Sequence, residues 1–139
     1  MQFTDEQFKK DSEQLIDFIY KSPSPYHVVN NIAAVLNENG FIRLSEGKAW
    51  KINPSGRYYV IRGSSSIIAF NMPNAESYKG YNITASHSDS PSFKVKENPE
   101  ITIDKHYISL NVEKYGGMIM STWLDRPLSV AGRAVAISR

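Results

Sequence analysis

The sequence has no cysteine. That excludes a disulfide framework and any thiolate metal site, so a metal ion here needs histidine, aspartate or glutamate. Histidine is itself scarce, with three in 139 residues. No apolar run approaches the ~20 residues that cross a bilayer. The opening Met1-Gln2-Phe3-Thr4-Asp5-Glu6-Gln7 lacks the basic and apolar blocks of a secretory leader. Nor does one charge dominate: the formal net charge is +2, and lysine and arginine are scattered. So mild a balance gives no footprint for nucleic acid or an anionic membrane. What remains is an ordinary composition, 41% hydrophobic and 22% charged, on a chain long enough for one core. The expectation is a soluble cytoplasmic protein with no nucleic-acid and no membrane partner.

Against this background one stretch stands out, Tyr81-Asn82-Ile83-Thr84-Ala85-Ser86-His87-Ser88-Asp89-Ser90-Pro91. Its first five residues alternate like a strand, and the small polar residues that follow carry one imidazole and one carboxylate. In extended backbone, side chains at i and i+2 share a face. His87 and Asp89 are therefore expected to project together from the strand's end, with Ser88 on the other side. A carboxylate that fixes a histidine's orientation and tautomer is a common way to prepare a metal ligand. The bland alternative is an ordinary loop histidine, and His-x-Asp alone does not decide between them.

The flanking chain reads as two helices followed by strands. Thr4 and Gln7 form a capping box, Phe3 and Phe8 sit as a hydrophobic staple, and Asp5 and Glu6 suit the helix dipole. Phe8, Leu15, Ile16, Phe18 and Ile19 supply an apolar stripe that ends at Lys21-Ser22-Pro23. Ser24-Pro25 starts a second helix whose apolar face includes Val28, Val29, Ile32 and Leu36, and Asn39-Gly40 stops it. His27, in its first turn, reads as a capping or solvated residue, or as the lining of a cleft. After Gly40 the period becomes that of strands. Strands are expected at residues 41–44, 57–62, 66–72, 81–85, 93–96, 101–103, 107–112 and 130–137, with 57–72 a hairpin and 81–85 the central strand. His106 falls in a turn. Tyr115-Gly116-Gly117 and Trp123-Leu124-Asp125-Arg126 mark a structured corner, the last two residues forming an ion pair or taking a direct part in chemistry.

Several of these pieces occur together in a known family. Ser22-Pro23-Ser24-Pro25-Tyr26-His27, Gly56-Arg57-Tyr58-Tyr59-Val60-Ile61-Arg62, Ser86-His87-Ser88-Asp89-Ser90-Pro91 and Thr122-Trp123-Leu124-Asp125-Arg126-Pro127-Leu128 follow one another in this order. In that respect the sequence resembles the N-terminal part of the M18 metallopeptidases, the aspartyl aminopeptidase and vacuolar aminopeptidase I group. The resemblance implies an α/β fold, the N-terminal portion of a zinc-aminopeptidase catalytic domain with two helices packed on a mixed β-sheet. It also implies an exopeptidase with two divalent metals, zinc by type, that takes N-terminal and typically acidic residues from peptides and assembles as a homo-oligomer. At the family's matching positions His87 is a metal ligand, and Asp89 is the catalytic carboxylate that orients it. The family's bridging aspartate, its Glu-Glu pair and its other ligands lie further along than residue 139. Residues 1–139 are thus expected to be one N-terminal segment, with the downstream half and the inserted oligomerisation domain absent and with no activity alone. A non-catalytic scaffold or assembly module keeping the peptidase fold is the alternative.

Overall fold

The computed structural model describes residues 4–74 and 80–137. Phe3 of the expected staple and residues 75–79 of the link before Tyr81 lie outside them. Two compact units are present: the first holds 4–74, 80–88 and 131–137, the second 89–130.

The first unit opens with α1 (Asp5–Tyr20). Thr4 Oγ1 accepts from the Gln7 amide at 3.3 Å, while the Gln7 carboxamide donates forward to Asp11 at 2.7 Å, a charged acceptor one turn on. The helix therefore has its cap, with the Gln7 side chain turned forward. No residue of α1 is buried; Phe18 alone is half-buried. α2 (Pro25–Glu38) follows after a short link, which Asn31 closes by donating to the Lys21 carbonyl and to Ser22 Oγ. Ser24 occupies the N-cap position, but its hydroxyl pairs with His27 Nδ1 at 2.7 Å rather than with a backbone amide. His27 is thus committed to the helix start, the capping reading of that residue.

β1 (Ile42–Leu44) runs parallel to β2 (Arg57–Arg62), and β2 pairs antiparallel with β3 (Ser66–Asn71), giving a mixed sheet in the order β1-β2-β3. The expected hairpin is present, with Arg62 opposite Ser66 and a turn at 63–65 where Gly63 and Ser64 both take positive φ. The core of this unit is small. Val29 of α2 and Tyr58, Tyr59 and Val60 of β2 are buried, and the Tyr59 hydroxyl donates to Asn37 Oδ1 to fasten helix to sheet.

The central strand is β2, not residues 81–85. That segment has the alternation of a strand but no regular structure, and Tyr81 and Ile83 are exposed. The physical reason is pairing. Both sides of β2 are taken by β1 and β3, and no described segment lies in register beside 81–85. Alternation specifies a face, whereas a strand also needs a partner's amides and carbonyls. Residues 130–137 fail as a strand for the same reason. Within the first unit, Arg133 is held by its side chain, which stacks over the Tyr26 ring at 4.6 Å and donates to the Gly63 carbonyl at 3.5 Å.

The second unit is a long hairpin, β4 (Ser92–Ile103) with β5 (Tyr107–Tyr115), followed by a single 3-10 turn (Met120–Trp123). The two short strands expected at 93–96 and 101–103 are one element. The chain carries Pro99 through it by an irregularity between Val95 and Glu100, where a residue without an N–H is tolerated. Asp104-Lys105-His106 is the tip, with positive φ at Asp104 and Lys105, and His106 is exposed as expected. Trp123 meets Phe93 edge-on at 5.8 Å, and Asp125 pairs with Arg126 at 3.0 Å in the exposed corner. No helix among the described residues is long and apolar enough to cross a membrane.

Candidate functional site

His87 lies in the irregular stretch between β3 and β4 and is exposed; Asp89, two residues on, is half-buried. The backbone around them is held by side chains rather than by a ladder. In the first unit, Ser88 Oγ donates to the Ser65 carbonyl at 3.1 Å, so the residue next to His87 is tied to the β2–β3 turn. In the second unit, Tyr115 Oη donates to Asp89 Oδ2 at 2.5 Å. That phenol is the residue which sequence reasoning missed. Its neighbours Gly116 and Gly117 drew attention as turn residues, but Tyr115 reaches Asp89 only because β5 pairs Tyr115 with Ser92, three residues past the carboxylate. The antiparallel register was the signal, and it can be read only once β4 is known to continue through Pro99.

The electrostatics follow this geometry. The hydrogen bond to Asp89 holds the Tyr115 hydroxyl above the ordinary phenol range, and the carboxylate's charge and a little desolvation act in the same direction. A phenol kept protonated remains a donor, so the contact sustains itself across neutral pH. A shallow pocket of the first unit, lined by Arg43, Leu44, Ser45, Glu46, Gly47 and Ile61, includes neither His87 nor Asp89.

An imidazole beside a carboxylate suits zinc by donor type, but a catalytic zinc takes three protein ligands. Among the described residues no three histidine, aspartate or glutamate side chains gather into a group that could hold a metal ion. The described residues therefore do not fit a zinc ion by themselves.

Comparison with known proteins agrees with the motifs. Residues 18–138 match the model of the family described as aminopeptidase I zinc metalloprotease (M18). A probable M18 family aminopeptidase 2 of Clostridium acetobutylicum is 50% identical over 123 residues, which are 88% of this chain and 28% of the relative. An aspartyl aminopeptidase of Dictyostelium discoideum is 43% identical over 136 residues, 96% of this chain and 28% of the relative. Among solved structures, one of the Ape4 and Nbr1 complex superposes with a TM-score of 0.81 at 39% identity, covering 91% of this chain and 25% of that one. The mApe1 dodecamer of S. cerevisiae gives 0.70 at 31% identity, covering 86% and 28%. The chain thus spans little more than a quarter of the length of the relatives it matches. On the strength of the match over 18–138, together with these relatives, the chain belongs to the M18 family of aminopeptidases.

Proposed function

We propose that this chain is the N-terminal segment of a metallo-aminopeptidase catalytic domain that removes N-terminal, typically acidic, residues from peptides. His87 contributes one metal ligand, Asp89 is the carboxylate that orients it, and zinc is the metal. The observation that carries this reading is the family match over 18–138 on a chain spanning 28% of its curated relatives, with His87-Ser88-Asp89 inside the match. The aspartyl aminopeptidase relative supports the acidic preference, and the dodecameric neighbour supports a homo-oligomer. The missing ligands and the general base fall to sequence beyond these residues, which agrees with the lack of a three-ligand group among those described. The 139-residue chain is accordingly inactive alone.

Hydrolysis of aspartyl- and glutamyl-p-nitroanilide by the purified chain, with zinc, manganese or cobalt added, tests this directly. No turnover is expected. Titration calorimetry with zinc should show at most weak binding, weakened further by His87→Ala. Turnover, or sub-micromolar zinc binding that depends on His87, sinks the segment reading. Binding indifferent to His87→Ala removes that residue from the site.

A further inference from the structure

We infer that the β2–β3 turn is a clasp with two points of attachment: its Ser65 and Gly63 carbonyls fasten the chain at Ser88 and at Arg133. The chain leaves the first unit after Ser88 and returns to it at Ala131, so one turn holds it on both sides of residues 89–130. The clasp sets the backbone beside His87 and does not depend on the metal role proposed for that residue.

The acceptors come from the backbone of the turn. Gly63 and Ser64 take φ 59 and 63 in succession, the left-handed pair of a primed hairpin turn. The Arg62 carbonyl accepts from the Ser65 amide at 3.3 Å to close it, and the pairing of Arg62 with Ser66 roots it in the sheet. Ser64 carries a Cβ and is nevertheless held left-handed, so the surrounding strands dictate the turn's shape. Carbonyls on such a turn keep a fixed direction.

The donors come from two stretches without regular structure, 80–88 and 131–137, where side-chain contacts rather than a ladder hold the backbone. Ser88 Oγ donates to the Ser65 carbonyl at 3.1 Å from a half-buried position, while the adjacent His87 is exposed. One planar peptide joins the two, so placing the Ser88 Cα places that of His87, about 3.8 Å away. His87 has interactions of its own, and the Ser88 tie acts on the backbone beneath them. Arg133 donates to the Gly63 carbonyl at 3.5 Å, and its guanidinium lies over the half-buried Tyr26 ring at 4.6 Å. The ring takes the larger share, because that hydrogen bond is near its length limit whereas a cation attracts an aromatic face well at such a distance.

Nitrogen relaxation in the full 139-residue chain tests this through backbone order parameters at 86–88 and 131–135. Ser88→Ala should lower those of His87 and Ser88 from about 0.85 to below about 0.6, rigid to flexible, and leave 131–135 in place. Arg133→Gln should do the reverse. Ser88→Thr keeps the hydroxyl and should restore the order, and Ser86→Ala, which loses an exposed hydroxyl on the other side of His87, should change nothing. Gly63→Val acts on the turn itself. A Cβ built there has Ser65 Oγ nearest, at 3.8 Å, so the cost is that of a β-branched residue at positive φ and not of a clash. It should loosen both stretches together, with the amides of Tyr58, Tyr59 and Val60 verifying that the sheet is intact; Gly63→Ala takes its place if the sheet unfolds. If Ser88→Ala or Arg133→Gln leaves its own stretch ordered, that tie is incidental and the clasp fails. If each loosens its stretch but the Gly63 variant with an intact sheet loosens only one or neither, the turn is not their common anchor, and the clasp fails as well.

Discussion

A phenol that donates to a carboxylate resists ionising, and at Tyr115 this gives a pH dependence with a definite sign. The ordinary phenol pKa is about 10. In the folded chain that of Tyr115 is raised, first by the hydrogen bond to Asp89, then by the carboxylate's charge, then by desolvation. The folded state therefore holds this proton more tightly than the unfolded one. The resulting stabilisation is fully present below about pH 10 and is lost as pH rises through the raised value. Above pH 10 the wild type should lose stability more steeply than Tyr115→Phe in urea unfolding followed by circular dichroism. In an absorbance titration of tyrosinate, one late phenol should return toward the ordinary range in Asp89→Asn; a late phenol indifferent to that change argues against the contact. His87 and Asp89 were visible in the sequence as a pair because an imidazole and a carboxylate lie within three consecutive residues. Tyr115 was not, because its place depends on a register that passes through the Val95–Glu100 irregularity. Ser65 was hidden for a similar reason, since its backbone carbonyl carries no side-chain signal at all.

Among the elements, β2 carries most of the first unit's core, and its entry is sensitive to a single methyl group. A Cβ built on Gly56 falls 2.4 Å from the Tyr58 ring. That ring cannot simply swing away: Tyr58 is 2% exposed, packs on Phe70 at 5.7 Å, and its hydroxyl accepts from the Asn53 amide at 2.9 Å. Gly56→Ala should destabilise the chain by about 1–3 kcal/mol, the usual cost of overpacking, measured as a lower urea midpoint at unchanged slope. A cost within a few tenths of a kcal/mol of zero means that the ring is less constrained than its contacts require. The helices, the 57–72 hairpin and both tight turns were readable because caps, alternation and turn residues act over a few neighbours. Residues 81–85 and 130–137 misled for a physical reason: each shows the alternation of a strand, yet pairing depends on residues elsewhere. Joining 93–96 and 101–103 into one β4 required the converse lesson, that a proline at a bulge need not end a strand.

At the scale of the whole molecule, large apolar side chains stand exposed on several elements. Leu15, Ile16 and Ile19 stand out along α1, and Val130, Val135 and Ile137 along the closing stretch. In 118–120, Met118 is buried, which leaves Ile119 and Met120 outward. Such surface seldom stays uncovered on a soluble monomer. The chain should therefore self-associate at micromolar concentration, as read by sedimentation velocity and light scattering. Ile16→Lys combined with Val135→Lys should shift the distribution toward monomer, whereas a wild-type monomer would show that these faces remain wetted. The absence of a ladder around His87 has one further consequence, visible in amide exchange. Backbone amides of Tyr58, Tyr59 and Val60 sit in a sheet paired on both sides and should exchange their hydrogens slowly, while those of 80–88 should exchange early. A companion polypeptide that supplies a neighbouring strand would then announce itself as a protected patch beginning near Tyr81, before any substrate is added.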